Sequence, residues 1–235
     1  MTSSGLESAT SGALACTTTR LRMMARAMSI VAAAAVALVL GMGPWLDTPA
    51  QADSLVATVP VGTSPLGVGV NPTTNKIYVA NSDSNSVSVI NGATNRVTTL
   101  QSPAFAQPRE VGVNPNTNRI YVGNFGANTV TVIDGSKDRI EKTITVGVAP
   151  GPLPPPGVGT IPGSQPDGIA VNPSTNRIYV ANQFDGTVAV IDGSKNVVTN
   201  TIPLGLALAG AAVNPKTNQV YVSLLFGSSL EKIRG

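Results

Sequence analysis

Residues 71–81 read NPTTNKIYVAN, and close copies open at Asn114 (NPNTNRIYVGN), Asn172 (NPSTNRIYVAN) and Asn214 (NPKTNQVYVSL). The Asn-Pro pairs are separated by 43, 58 and 42 residues. A period near forty is the mark of a repeat that folds as one blade of a propeller. Around the first copy lie four short extended segments. Strand a is GVGV before Asn71, strand b is Lys76 to Ala80, strand c is Ser86 to Ile90, and strand d is Arg96 to Leu100. Their alternating Val, Ile, Tyr and Thr suit half-buried strands. In NPxTN the Pro supplies a fixed φ and the second Asn tolerates left-handed backbone, which together make a tight turn. Asn91-Gly92, Asp134-Gly135 and Asp192-Gly193 are hairpin signals between strands c and d. The stretch therefore recurs because every blade needs the same turn and the same central strand. A repeated binding site is the weaker reading.

The tetrapeptides Tyr78-Val79-Ala80-Asn81, Tyr121-Val122-Gly123-Asn124 and Tyr179-Val180-Ala181-Asn182, each followed by IDG or ING, resemble the YVTN family of β-propeller repeats. The resemblance covers nearly all of residues 54–235. It implies an all-β propeller of four-stranded antiparallel blades, commonly seven. Family members resemble archaeal surface-layer proteins and bacterial periplasmic proteins, one of them implicated in DNA binding, and share no single activity.

Here only four blades are visible. Residues 55–62, LVATVPVG, match the d-strand stretches IEKTITVG (140–147) and VTNTIPLG (198–205). The domain therefore starts with a d strand and ends after a c strand, giving an expected sixteen. Two arrangements follow. The N-terminal strand completes the last blade and closes a four-blade ring, or the chain is part of a larger propeller, including one made from two copies. Small residues at matching places in strand a, namely Gly69, Gly112, Ala170 and Ala212, are expected to line the ring's centre.

The N-terminus has its own logic. Arg20, Arg22 and Arg26 precede an apolar run from Ala27 to Gly43, and Ala50-Gln51-Ala52 supplies a small-x-small cleavage pattern. Residues 1–52 read as an extension and a signal peptide cut after Ala52, leaving residues 53–235 as an extracytoplasmic propeller domain, periplasmic or secreted. The alternative is an uncut segment that tethers the chain to a membrane. The one cysteine, Cys16, lies in the removed part, so the mature domain needs no disulfide.

The 235 residues include 11% charged side chains, a net charge of +3 and no histidine. Lack of histidine excludes a Ser-His-Asp triad, a histidine base and histidine-ligated zinc. The scattered Lys and Arg do not form the basic stripe of a strong nucleic-acid binder. No catalytic constellation stands out, and Asp134 and Asp192 read as turn residues. No cofactor or metal is implied, since Asp83 and Asp185 lack the spacing of a calcium loop.

Binding residues are sought where the repeats depart from one another. The d–a junctions read PLG (65–67), PDG (166–168) and LAG (208–210), but PRE at 108–110. Arg109, Glu110 and Asp167 thus place charge at the channel mouth, either to orient a polar ligand or as a local ion pair. The b–c loops carry Asp83, Phe125, Phe184 and Phe226. Aromatic rings beside Asn and Asp suit a sugar or a nucleobase, or each ring packs over its own blade end. A Pro/Gly-rich insertion at 147–165 reads as a lid, a partner-binding segment or a plain surface loop. The combined expectation is an exported, non-enzymatic binding scaffold for an unknown protein, glycan or cell-envelope partner, with homodimerisation an option. The alternatives are a periplasmic DNA-binding propeller and, disfavoured without His or a metal cluster, a lactonase- or lyase-like enzyme.

Overall fold

The computed structural model describes residues 54–147, 165–205, 207–225 and 229–235. Residues 1–52, which the sequence reads as an export signal, nearly all of the insertion and Phe226 lie outside these. The chain divides into Met1–Val56, of which only 54–56 are described, and Ala57–Gly235. The second unit carries fifteen strands and, among the described residues, no helix.

Blade one is β1 (Pro65–Asn71), β2 (Lys76–Asn81), β3 (Ser86–Asn91) and β4 (Val97–Gln101). Blade two is β5 (Pro108–Asn114), β6 (Arg119–Asn124), β7 (Thr129–Asp134) and β8 (Arg139–Thr145). Blade three is β9 (Pro166–Asn172), β10 (Arg177–Asn182), β11 (Thr187–Asp192) and β12 (Val197–Pro203). Blade four has β13 (Leu208–Asn214), β14 (Gln219–Leu224) and β15 (Leu230–Arg234). Each is an antiparallel meander in chain order, the first three sheets four-stranded and the last three-stranded. The a strands of successive blades lie side by side, β1 on β5, β5 on β9 and β9 on β13.

The core consists of three layers, one between each pair of neighbouring blades. Tyr78, Ala80, Val87 and Val89 of blade one meet Val111, Ile120, Val122 and Ile133 of blade two, and the pattern repeats at the next two seams. In blade two, strands b and c are buried on both faces because the blade lies between two others, whereas its outer d strand alternates toward solvent. Inter-blade polar staples reinforce the layers. Asn71 Nδ2 donates to Asn118 Oδ1, Asn114 to Asn176 and Asn172 to Asn218, each at 2.8 Å. Lys76 Nζ reaches Asp138 Oδ2 at 2.7 Å across the first seam.

The turn NPxTN behaves as the sequence implies. Asn75, Asn118, Asn176 and Asn218 all have φ of 51–52°. The first Asn of each copy also caps its turn, Asn71 Oδ1 accepting from Thr73 N and Asn114 Oδ1 from Asn116 N, both at 3.0 Å.

Three expectations need correction. First, residues 54–64 form no strand before β1, so there are fifteen strands and nothing pairs with β15 on its outer side among the described residues. Val68 and Val70 of blade one stay 57% and 54% exposed, and Ala212 of blade four is exposed, so blades one and four do not cover these residues and the arc is open there. Second, two of the a-strand small residues, Gly69 and Gly112, face the next blade. A Cβ on Gly69 would stand 2.7 Å from Val111 Cγ1, and one on Gly112 2.6 Å from Ile169 Cγ2, so they let adjacent blades approach. Third, the c–d connections are longer turns whose left-handed residues are Asn95, Asp138 and Asn196. Gly92 is needed because a Cβ there would sit 2.3 Å from Asn75 Oδ1.

Candidate functional site

The strands that position the candidate residues are irregular at one place. Each a strand shifts register where it leaves the d–a junction. In β5 Pro108 pairs with Asn124 and Glu110 with Gly123, which leaves Arg109 as the extra residue. In β9 Pro166 pairs with Asn182 and Gly168 with Ala181, which leaves Asp167. A bulge re-aims the side chain it carries. Here the two bulged residues meet across the seam between blades two and three, with Arg109 Nη1 3.1 Å from Asp167 Oδ1.

The b–c loops complete the cluster. Phe125 N donates to Gln107 O and Gln183 N to Gln165 O, both at 3.1 Å, which ties each loop to the junction of its own blade. The Arg109 guanidinium carbon lies 3.5 Å from the centre of the Phe125 ring, a cation–π contact. Phe125 in turn meets Phe184 edge-on, with centroids 6.5 Å apart at 68°. Phe184 remains 41% exposed. Beside them the Glu110 carboxyl titrates above its usual range. Burial is the main cause and the Asp167 charge adds to it, partly opposed by the Val111 backbone N–H.

Of the residues singled out in the sequence, Arg109, Asp167, Phe125 and Phe184 thus form one continuous surface, with Glu110 adjoining. Asp83 belongs to blade one, where it accepts a hydrogen bond from Ser64 Oγ. Asp185 accepts from Thr187 N at 3.0 Å and shapes its own loop. Asp134 is also a turn residue, held down to about 2 chiefly by hydrogen bonds from Ser136. Among the described residues there is no group of three or more His, Cys, Asp or Glu side chains able to hold a metal.

The polar staples inside the layers were not read from the sequence as such. Asn81 Nδ2 donates to Ser86 Oγ and Ser88 Oγ, and Asn124 Nδ2 to Thr129 Oγ1 and Thr131 Oγ1. The closing Asn of the motif therefore ties strand b to strand c. The signal was present in the paired hydroxyl residues two apart on strand c.

By sequence, no protein-family profile and no curated protein matches the chain. By structure the chain is similar to propeller-type proteins. These include hydrazine synthase of Kuenenia stuttgartiensis (TM-score 0.61, 20% identity, 77% of this chain and 49% of that one). A streptogramin B lyase is similar at TM-score 0.52 and 15% identity, over 74% of this chain and 56% of its own. A functionally unknown protein from Desulfotomaculum acetoxidans DSM 771 is similar at TM-score 0.61 and 16% identity, over 79% and 56%. The fold is a β-propeller arc. The chain spans about half the length of the solved chains it matches.

Proposed function

We infer that the chain is an exported binding scaffold whose ligand face is the Arg109–Phe125–Phe184–Asp167 cluster, and that the ligand is a glycan of the cell envelope or a neighbouring surface. The observation that carries this reading is the exposed Phe184 ring, braced edge-on by Phe125, which is itself stacked under Arg109. A braced, half-exposed ring is a stacking platform with little entropy left to lose. Asp167 and Glu110 stand nearby as acceptors for hydroxyl groups.

The same geometry weighs against DNA as the ligand. A phosphate contact needs a cation free to release counterions. Arg109 is already paired with Asp167 and stacked on Phe125. Identities of 15–20% carry no activity from the solved neighbours, so neither lyase nor synthase chemistry is assigned.

The test is calorimetric titration with hexasaccharides of β-linked glucose and of N-acetylglucosamine, using the native chain, Phe184→Ala and Arg109→Ala. Binding by the native chain that is lost in Phe184→Ala supports the reading. Equal binding by all three, or none at millimolar sugar, overturns it. Binding to duplex DNA that falls steeply with salt would replace it with the nucleic-acid reading.

A further inference from the structure

Blade four has three strands among the described residues, and residues 54–61 lie outside any sheet although their sequence is that of a d strand. We propose that a second copy of the chain supplies what each open end lacks. Its residues 55–61 pair with β15, its blade one packs on blade four, and two arcs close into one eight-blade ring.

Four independent features of the two ends match. The first is the strand. LVATVPVG at 55–62 aligns with VTNTIPLG at 198–205, the d strand that leads from blade three into blade four. Leu55 and Val56 are 86% and 93% exposed. The second is a socket. Ile140 and Val198, at the start of their d strands, pack on the layers that hold Tyr78 with Val89 and Tyr121 with Val132. The third pair, Tyr179 and Val190, instead lines a cleft of about 340 Å³ together with Ile202, Arg177 and Arg234. Leu55 holds the place in its strand that Val198 holds, so it enters this cleft.

The third feature is the asparagine ladder. Three seams each carry an Asn–Asn bond. Asn71, Asn114 and Asn172 are wholly buried, but Asn214 is exposed, and the acceptor at the other end of the series, Asn75, is exposed as well. Asn214 of one copy facing Asn75 of the next repeats the bond. The fourth is the apolar strip. Val111 with Val113, and Ile169 with Val171, cover Gly69 and Gly112 of the preceding blade. Val68 and Val70 are their equivalents and stay exposed, and Ala212, the equivalent of Gly69, is exposed too. Val79 and Ile90 on the same face of blade one are already buried, so docking adds chiefly the inner strip.

The chain covers 49–56% of the solved chains it matches, a share that leaves room for a second arc in one ring. Each contact is head-to-tail, and such contacts close only if the rotation completes a circle. Lys232 occupies the c-strand place of Val89, Val132 and Val190 on the open face. Its ammonium must reach the rim while its stem is covered, which makes this seam weaker than the internal ones and the dimer reversible.

The test uses the full chain with Cys16→Ser. Ser88 pairs with Thr99, Thr131 with Thr143 and Ala189 with Thr201, so Glu231 of one copy pairs with Thr58 of the other. Directly paired strand residues lie within disulfide reach. Glu231→Cys mixed with Thr58→Cys under oxidising conditions is expected to give a disulfide-linked dimer that neither gives alone. The double variant is expected to give a dimer closed by two disulfides. An intrachain disulfide in a monomer would show that the chain's own N-terminus closes the ring, and open-ended ladders would show filaments. Either overturns the proposal, as does no cross-link at all. By light scattering, Val59→Asp is expected to weaken dimerisation more than about a hundredfold, because it buries a charge in the seam. Lys232→Val is expected to tighten it about tenfold. Association that survives Val59→Asp comes from another part of the chain and overturns the assignment.

Discussion

Asn114→Ala isolates what one inter-blade staple contributes. The Asn114 side chain does two things from a fully buried position. Its Oδ1 accepts from Asn116 N at 3.0 Å, capping the NPxTN turn, and its Nδ2 donates to Asn176 Oδ1 at 2.8 Å across the seam. The alanine removes both bonds and leaves the Asn176 oxygen without its donor. A net hydrogen bond contributes about 1 kcal/mol, and the Asn176 acceptor left behind is half-buried, so its cost falls at the lower end of the about 1–3 kcal/mol of a fully buried orphan. The expected loss is therefore about 2–3 kcal/mol. Asn214→Ala is the internal control. Asn214 Oδ1 also caps its turn, accepting from Lys216 N at 3.0 Å, but the residue is exposed, and among the described residues no further blade packs on it. Its loss should be about 1 kcal/mol. Urea unfolding followed by circular dichroism, in a Val59→Asp background chosen to weaken any pairing of copies, measures both. In a domain of this size the two should separate by several degrees in Tm as well. Equal losses for the two alanines would refute the idea that the seam bond adds anything beyond the turn.

Gly112→Ala is expected to destabilise by about 1–3 kcal/mol, since its Cβ would stand 2.6 Å from Ile169 Cγ2 and 2.8 Å from Val171 Cγ2. Adding Ile169→Ala should make the double variant less destabilised than the sum of the singles, as read from a double-mutant cycle of urea melts. The two carboxylates beside arginines should show opposite pH signatures. Glu110 is raised by burial, so its ionisation costs stability as pH rises through its folded pKa, and Glu110→Gln should be the more stable protein at pH 7 with the gain vanishing in acid. Glu141 is lowered by the Arg119 hydrogen bonds at 2.8 and 2.9 Å, so its contribution is present above the usual carboxylate range and fades as pH falls. Glu141→Gln should accordingly flatten the acid limb of a stability–pH curve. Arg109→Ala loses a partly exposed ion pair and a cation–π contact and should cost about 1–2 kcal/mol by the same melts.

The blades were legible because their determinants are local. Asn75 and its three counterparts sit in left-handed backbone, a preference the residue type carries wherever it stands. The bringing together of Arg109 and Asp167 was foreshadowed by comparing each blade with its siblings, since both fall at one repeat position. That they face each other depends on two bulges, which no single strand's pattern shows. The same limit explains the glycines. Gly92 reads as a hairpin residue, but its reason is Asn75 Oδ1, which the preceding turn brings against it. Residues 55–62 show a further kind of failure. Their pattern is correct for a d strand, yet a strand forms only where an edge is offered, and in one copy they take no edge.

The location of the cluster follows from the same open-ended layout. Blades two and three are the two blades with a neighbour on each side, so the backbone beneath Arg109 and Asp167 is packed from both faces. Val111 lies in one layer, and Ile169, Ile178 and Ile191 lie in the next. A bulge on a strand held in this way keeps its side chain aimed, and a platform of Phe125 on Phe184 keeps its spacing. Blades one and four have the same junctions, but theirs carry Leu66-Gly67 and Ala209-Gly210, and the inner strip of each stays exposed at Val68, Val70 and Ala212. Charge at those places would sit on strands whose positions depend on whether the ring is closed. Placing the repeat-breaking residues on the inner pair makes the proposed ligand face independent of the proposed assembly, so ligand affinity per chain should not change with protein concentration, while the number of faces carried by one particle should.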